Sequence, residues 1–287
     1  MDYLFTDWVE IYLNNFAKRR LKSSTFESYK HYAKHINIYK RLSELSALDL
    51  QIVINEMSDS GFKTSTVKHT ATVMRRSILK AEQLGLCNRA LWYGIELPPD
   101  DTLTAEAFNE TDFDKIKNDC FKQNSIYSDC FLFLANTGLR VGELIALKRF
   151  SDFDNKNKTI AVNGTAFRGT IYPPKTKNSL RTIPLNKVAY DIILRQNHNS
   201  EFIFTNSFNE MISYRSLLES WKFTLKRCGI SHCGLHRLRH TFATNLLKNG
   251  ADIKTIQLLL GHSSSTITMN YYLHPDIKQL RNAVNLL

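Results

Sequence analysis

Residues 235–274 read LHRLRHTFATNLLKNGADIKTIQLLLGHSSSTITMNYYLH, and the fold of the chain turns on them. Leu238, Phe242 and Leu246 recur every four residues, the spacing of one helical face. His236 and Arg239, three residues apart, share a face of that helix. Gly250 is placed to end it. Asp252 is placed to start a second amphipathic helix through Ile253, Ile256, Leu259 and Leu260, which Gly261 stops just before His262. Tyr271 and Tyr272 follow, nine and ten residues after that histidine.

These residue types suit chemistry at a phosphate. A guanidinium grips phosphate oxygens through a rigid fork of donors. Imidazoles move protons near neutral pH. A tyrosine hydroxyl can attack phosphorus and hold the product covalently. The residues alone equally allow a basic helical hairpin that only binds DNA, with the tyrosines in its core.

The composition narrows the partner. The 287 residues contain 38 Lys and Arg against 27 Asp and Glu, a formal charge of +11, which favours a polyanion, most simply nucleic acid. No apolar run approaches the ~20 residues that span a bilayer. The N-terminal MDYLFTDWVE carries acids where a secretory leader carries bases, so a cytoplasmic protein is expected. Five cysteines, an odd number, fit free thiols in a reducing compartment. Cys228, His232, Cys233 and His236 crowd together within CGISHCGLH, yet their spacing matches no standard zinc finger, so no metal is expected.

Outward from the opening stretch, residues 1–97 read as all helix. Tyr3, Leu4, Trp8, Ile11, Tyr12 and Phe16 make one stripe, and Ser24 or Thr25 is a candidate cap for the next helix. Residues 43–59 carry Leu45, Leu48, Ile52, Ile54 and Met57. A long helix over 63–84 buries Val67, Ala71, Met74, Ile78 and Ala81. Lys30, Lys34, Lys63, Lys68, His69 and Arg75 lie on the polar sides, where they suit the DNA backbone as well as plain solvation. LPPDDTLTAE at 97–106 breaks the pattern and is the expected linker (98–106) between a domain over 1–97 and one over 107–287. In FLFLANTGLRVGEL, a buried helix end meets a turn at Thr137 and Gly138. Arg140 opens the next helix, with Glu143 one turn on and placed to orient it. Three short antiparallel strands are expected over 158–163, 169–174 and 180–185, with Lys175 and Lys177 in the last turn, then helices over 187–197 and 213–228. Ile277, Leu280, Val284 and Leu287 give the final residues an apolar stripe.

TGLRVGEL at 137–144, KTKNSLRTIPL at 175–185, HRLRH at 236–240, LGHSSSTITM at 260–269 and YLH at 272–274 together resemble the tyrosine recombinase (phage integrase) family. The resemblance implies a mostly α fold with a small antiparallel β-sheet: an N-terminal helical core-binding domain and a C-terminal α+β catalytic domain. The size is similar to Xer-type and small transposon recombinases without an arm-binding domain. It implies a site-specific recombinase that cuts and rejoins duplex DNA through a 3′-phosphotyrosyl bond and a Holliday junction, needing neither ATP nor metal. Arg140 and Arg239 would hold the scissile phosphate, and His236 and His262 would hydrogen-bond it and assist proton transfer. Lys175, with Lys177 as the alternate, would protonate the leaving 5′ oxygen, and Glu143 would support the site. Tyr272, which alone forms Tyr-x-His with His274, would be the nucleophile, with Tyr271 the alternate. The resemblance also implies a homotetramer on DNA, the last helix (275–287) docking on a neighbouring subunit, and room for accessory DNA-binding proteins. Two rivals make different predictions: a type IB topoisomerase-like enzyme would relax any supercoiled plasmid, and a non-catalytic binder would cut nothing.

Overall fold

The computed structural model describes residues 2–87, 90–99, 107–173, 180–197 and 199–261. The chain divides into two compact units, Met1–Thr102 and Leu103–Leu287. The first holds α1 (Phe5–Tyr12), a π-helical turn over Leu13–Ala17, α2 (Lys18–Arg20), α3 (Ser23–Ala33), α4 (Ala47–Asp59) and α5 (Thr64–Gln83). The expected stripe of α5, Val67, Ala71, Met74, Ile78 and Ala81, is buried throughout. Against it lies α1, whose buried Trp8 donates its indole N–H to the Ser77 carbonyl at 2.8 Å, satisfying the one polar atom that ring brings into the core.

Elsewhere in this unit tertiary structure overrides the simple periodicity. The π-helical turn shifts the register after Tyr12, so Leu13 enters the core while Phe16 stays half-buried. Neither Ser24 nor Thr25 caps α3; the helix starts at Ser23 behind Lys22, and no side chain caps it. A reciprocal Ser46–Asp49 capping box starts α4 at Ala47, leaving Leu45 in the preceding loop. The buried face of α4 is then Leu50, Val53, Ile54 and Met57, while Leu48 is 67% exposed and Ile52 42%. The all-helix expectation also fails beyond α5. Gly85 and Gly94 adopt φ +69° and +79°, and the described residues from 84 to 97 form turns and extended chain.

The second unit is built around α7 (Ile126–Thr137), preceded by α6 (Glu110–Gln123) and followed by α8 (Val141–Ala146) and α9 (Arg149–Asp152). Strands β1 (Phe153–Asp154), β2 (Thr159–Val162), β3 (Thr165–Phe167), β4 (Thr170–Tyr172) and β5 (Arg181–Pro184) come next. Then follow α10 (Lys187–Leu194), α11 (Tyr214–Cys228), α12 (His236–Lys248) and α13 (Ile253–Leu260). Helix α7 is buried on nearly every side, as a central helix must be, and α6, α8, α10, α11 and α12 pack around it. Its buried Asp129 is held by the Arg195 guanidinium and by Gln196, 2.6 Å away, so this carboxylate is paired where it enters the core. The strands depart from the expected succession of three. The main sheet runs β1-β2-β5, all antiparallel, with Ile160 opposite Ile183. The middle expected strand, β4, pairs instead with β3 in a separate ribbon. Its loop is two residues, Arg168 and Gly169, both at positive φ (+48° and +78°), the geometry of a tight hairpin turn. No helix among the described residues is long and apolar enough to cross a membrane.

Candidate active site

Three segments converge at one end of α7. The first is the turn after that helix. Gly138 sits at φ +66°, and a Cβ there would lie 2.4 Å from the Phe242 ring and 3.0 Å from Leu260. Glycine therefore meets two demands at once: a left-handed backbone and close passage against α12 and α13. Beyond the turn, Arg140 stands at the N-cap of α8 with extended backbone. Arginine cannot accept a hydrogen bond, so the capping is done from inside the helix. Glu143 accepts the Arg140 backbone N–H at 2.8 Å and its guanidinium at 2.7 Å. Arg140 Nη2 also reaches the Gly261 carbonyl at 3.4 Å.

The second segment is α12. Arg239 is 1% exposed. Its two terminal nitrogens donate to the carbonyls of Gly138 and Leu260 at 2.8 and 2.6 Å, and Nη1 lies 4.0 Å from Glu143. One guanidinium thus pins the end of α7 to the end of α13. One turn earlier, His236 is exposed, with its ring 4.9 Å from the buried His240 ring at 83°. Enclosure by protein, then repulsion from His240, Arg239 and Arg140, pushes the His236 imidazole down to about 4, although its exposure lets solvent screen part of that shift. Burial first, then the neighbouring Arg239, lowers His240 as well.

The third segment is β5. Arg181 was quoted above inside the KTKNSLRTIPL motif without a role, yet its side chain is 6% exposed and central to the site. It donates twice to Glu143, at 3.2 and 2.9 Å, and once to the Leu259 carbonyl at 2.7 Å. An arginine opening the strand pattern of LRTIPL was the available signal; what it pairs with, 38 positions earlier, was not. Burial alone would raise the Glu143 carboxyl. The hydrogen bonds and charge of Arg181, then the charge of Arg140, outweigh burial and hold it below the usual range.

Arg140, Arg181 and Arg239 thus surround one carboxylate, a surplus of two positive charges in a mostly buried setting, and Arg140, 38% exposed, is the member that faces solvent. An anion of one or two charges with several acceptor oxygens is the complementary ligand. Of the remaining expected site residues, Lys175, Lys177, His262, Tyr271 and Tyr272 lie outside the described residues, as does the segment 275–287. Cys228, His232, Cys233 and His236 form no metal-ligand group; among the described residues there is no such cluster of three.

In the first unit, Lys30, Lys34, Lys63, His69 and Arg75 are exposed and Lys68 is half-buried. They stand on α3 and its C-cap and on α5 and its N-cap, two helices packed together, and the Tyr32 and His69 rings stack across that seam at 4.9 Å and 28°.

The sequence profile described as the phage integrase family matches residues 105–279. A protein named tyrosine recombinase XerC-like from Caldanaerobacter subterraneus subsp. tengcongensis is 28% identical, the alignment covering 100% of this chain and 83% of that one. Among solved structures, the Tn1549 transposon integrase in complex with a circular intermediate DNA superposes with a TM-score of 0.84 at 21% identity, over 99% of each chain. A lambda integrase tetramer bound to a Holliday junction superposes at 0.76 and 19% identity, over 94% of this chain and 78% of that one.

Proposed function

This chain belongs to the phage integrase family of tyrosine recombinases, enzymes of site-specific DNA recombination, and we propose that the arginine cage at Glu143 is where it holds the scissile phosphodiester. The observation that carries the assignment is the surplus of two positive charges around a single buried carboxylate. The cage is preorganised by backbone carbonyls and Glu143, so it can meet charge growing on phosphorus without rearranging. Arg140 is the accessible donor. His236, depressed toward neutrality, offers one N–H and one acceptor nitrogen rather than a fixed charge.

The residues outside the described set complete the reaction. The Tyr272 hydroxyl (alternatively Tyr271) attacks phosphorus, forming a Tyr–O–P bond as the bond to the 5′ oxygen breaks. Lys175 (alternatively Lys177) protonates that leaving oxygen, with His262 and His236 assisting. Religation reverses these steps, and the phosphotyrosyl bond conserves the energy of the phosphodiester, so no nucleotide is consumed. Arg239, bonded to the Gly138 and Leu260 carbonyls, supplies charge and fixes both turns. The first unit, through Lys30, Lys34, Lys63, Lys68, His69 and Arg75, would position the duplex by phosphate contacts. The lambda integrase tetramer on a Holliday junction supports a tetrameric active form, and the apolar stripe of 275–287 would dock on a neighbouring subunit. The expected setting is the cytoplasm of a bacterium or its mobile elements, with accessory DNA-binding proteins as further partners.

The test is covalent trapping. The protein is incubated with nicked duplexes tiled across the DNA flanking its own gene, and detergent-resistant adducts are digested and the modified peptide sequenced. The expected result is a phosphotyrosine at Tyr272 or Tyr271, lost on changing that residue to Phe. Binding that survives Arg140→Ala, with no adduct on any duplex, would overturn the reading in favour of a DNA-binding protein.

A further inference from the structure

The β3–β4 ribbon stands beside this cage and has so far been given no role. Its path is fixed by two glycines. A Cβ on Gly164 would lie 3.8 Å from Ala146 Cβ, at the C-terminal end of α8. A Cβ on Gly142, in the first turn of α8, would strike Thr165 Oγ1 at 2.5 Å and the Ala166 carbonyl at 2.9 Å. The strand therefore runs along α8 toward its N-terminus. Two more residues, at about 3.3 Å each, carry the ribbon tip roughly 7 Å beyond Gly142, past the helix end that Arg140 caps.

The residue at that tip is Arg168, exposed, at φ +48°, with its guanidinium 5.6 Å from the Phe167 ring centroid. The first position of such a two-residue turn favours Asn, Asp or Gly, because a left-handed backbone strains other side chains. Gly169, at φ +78°, fits the second position. An arginine where the turn would prefer asparagine is a local conflict, and such conflicts collect at functional positions. The ring beneath it limits where the guanidinium can go.

We propose that Arg168 grips a backbone phosphate of the DNA flanking the scissile one, so that the ribbon tip and Arg140 together set the strand in the cage. Arg168 is a positioning residue: it touches the DNA and not the reacting atoms. The inference rests on the assignment of the cage to the scissile phosphodiester.

Arg168→Asn tests it without threatening the hairpin, since Asn suits the turn better than Arg. Affinity for a random-sequence duplex and for the duplex captured in the trapping experiment is measured across a salt series. The expected result is a loss of roughly tenfold on both duplexes, with the slope of log affinity against log salt shallower by about 0.9 and an undiminished thermal midpoint. Arg168→Lys should recover most of both. An unchanged affinity and slope would overturn the proposal. So would a loss removed by exchanging a single base pair, which would make Arg168 a reader of sequence. In either case the wild-type protein still forms its adduct; if the wild type forms none, it is the assignment of the cage that has failed.

Discussion

The two units carry their positive charge in opposite ways. In the first, Lys30, Lys34, Lys63, His69 and Arg75 stand exposed on the surface of two packed helices. In the second, Arg181 and Arg239 are buried, and with Arg140 they share one carboxylate and four backbone carbonyls. Exposed cations cost little to keep, act nearly independently, and are screened by salt. Buried ones persist only in a network that satisfies every member, so each is coupled to the others. The first arrangement suits holding a duplex without reading it; the second suits placing one phosphate to within a fraction of an ångström.

The contrast is broken most forcefully at Glu143. Glu143→Ala leaves Arg181 and Arg239 buried without their counter-charge, and removing one partner of such a network costs roughly 3–5 kcal/mol. Urea unfolding should show a loss of that size, and adduct formation should fall with it. The carboxyl is held below its ordinary value in the folded chain, so its contribution is present above about pH 4.5, the unfolded value, and disappears as pH falls through the lower, folded one. The variant should lose that acid-side dependence. Inorganic phosphate should stabilise the variant more than the wild type, because it can stand in for the missing anion. A stability change below about 1 kcal/mol, the scale of an exposed pair, would mean that the cage is no network.

His236 sharpens the comparison through pH. Its imidazole falls from 6.5 in the unfolded chain to about 4 in the folded one, so between those values the unfolded chain binds more protons. Stability therefore rises with pH across that window and declines as the solution is acidified from 6.5 toward 4. Thermal midpoints measured through the window should follow a slope that His236→Gln makes shallower, with the remainder due in part to His240, which is lowered too. Identical slopes for variant and wild type would show that solvent screens His236 fully, placing it with the exposed cations of the first unit.

How much of this was legible in the sequence follows the same division. The Gly138 turn, Arg140 at the start of α8 and Glu143 one turn later could be read from TGLRVGEL, because helix periodicity and turn chemistry are local. The stripe of α5 could be read for the same reason. Arg181 could not. Its burial depends on Glu143 reaching it across the fold, and a strand arginine looks the same in sequence whether it meets water or a carboxylate. Nor could the bonds of Arg239 to the Gly138 and Leu260 carbonyls, since backbone acceptors carry no side-chain signature. In the first unit, the apolar residues on both sides of α4 obscured its face: Leu48 and Ile52 satisfied helical spacing but point outward, and the Ser46–Asp49 box set the true start. The π-helical turn after Tyr12 follows no side-chain pattern that distinguishes it from an α-helix.

The smallest expected effect is also the cleanest probe of the first unit. Lys34 and Lys63 are both exposed, so replacing either with Ala removes charge at little cost to folding. If each meets a phosphate, the salt slope of duplex affinity should fall by about 0.9 for each one lost, additively in the double variant. Cognate and random duplexes should be weakened alike, because phosphate contacts carry no sequence. Adduct formation at saturating DNA should keep its wild-type rate, since a contact that only positions the duplex is already made once the site is full. A slower rate at saturation would tie these lysines to the chemistry and erase the contrast between the units. An unchanged slope would move the DNA-facing surface of the first unit elsewhere.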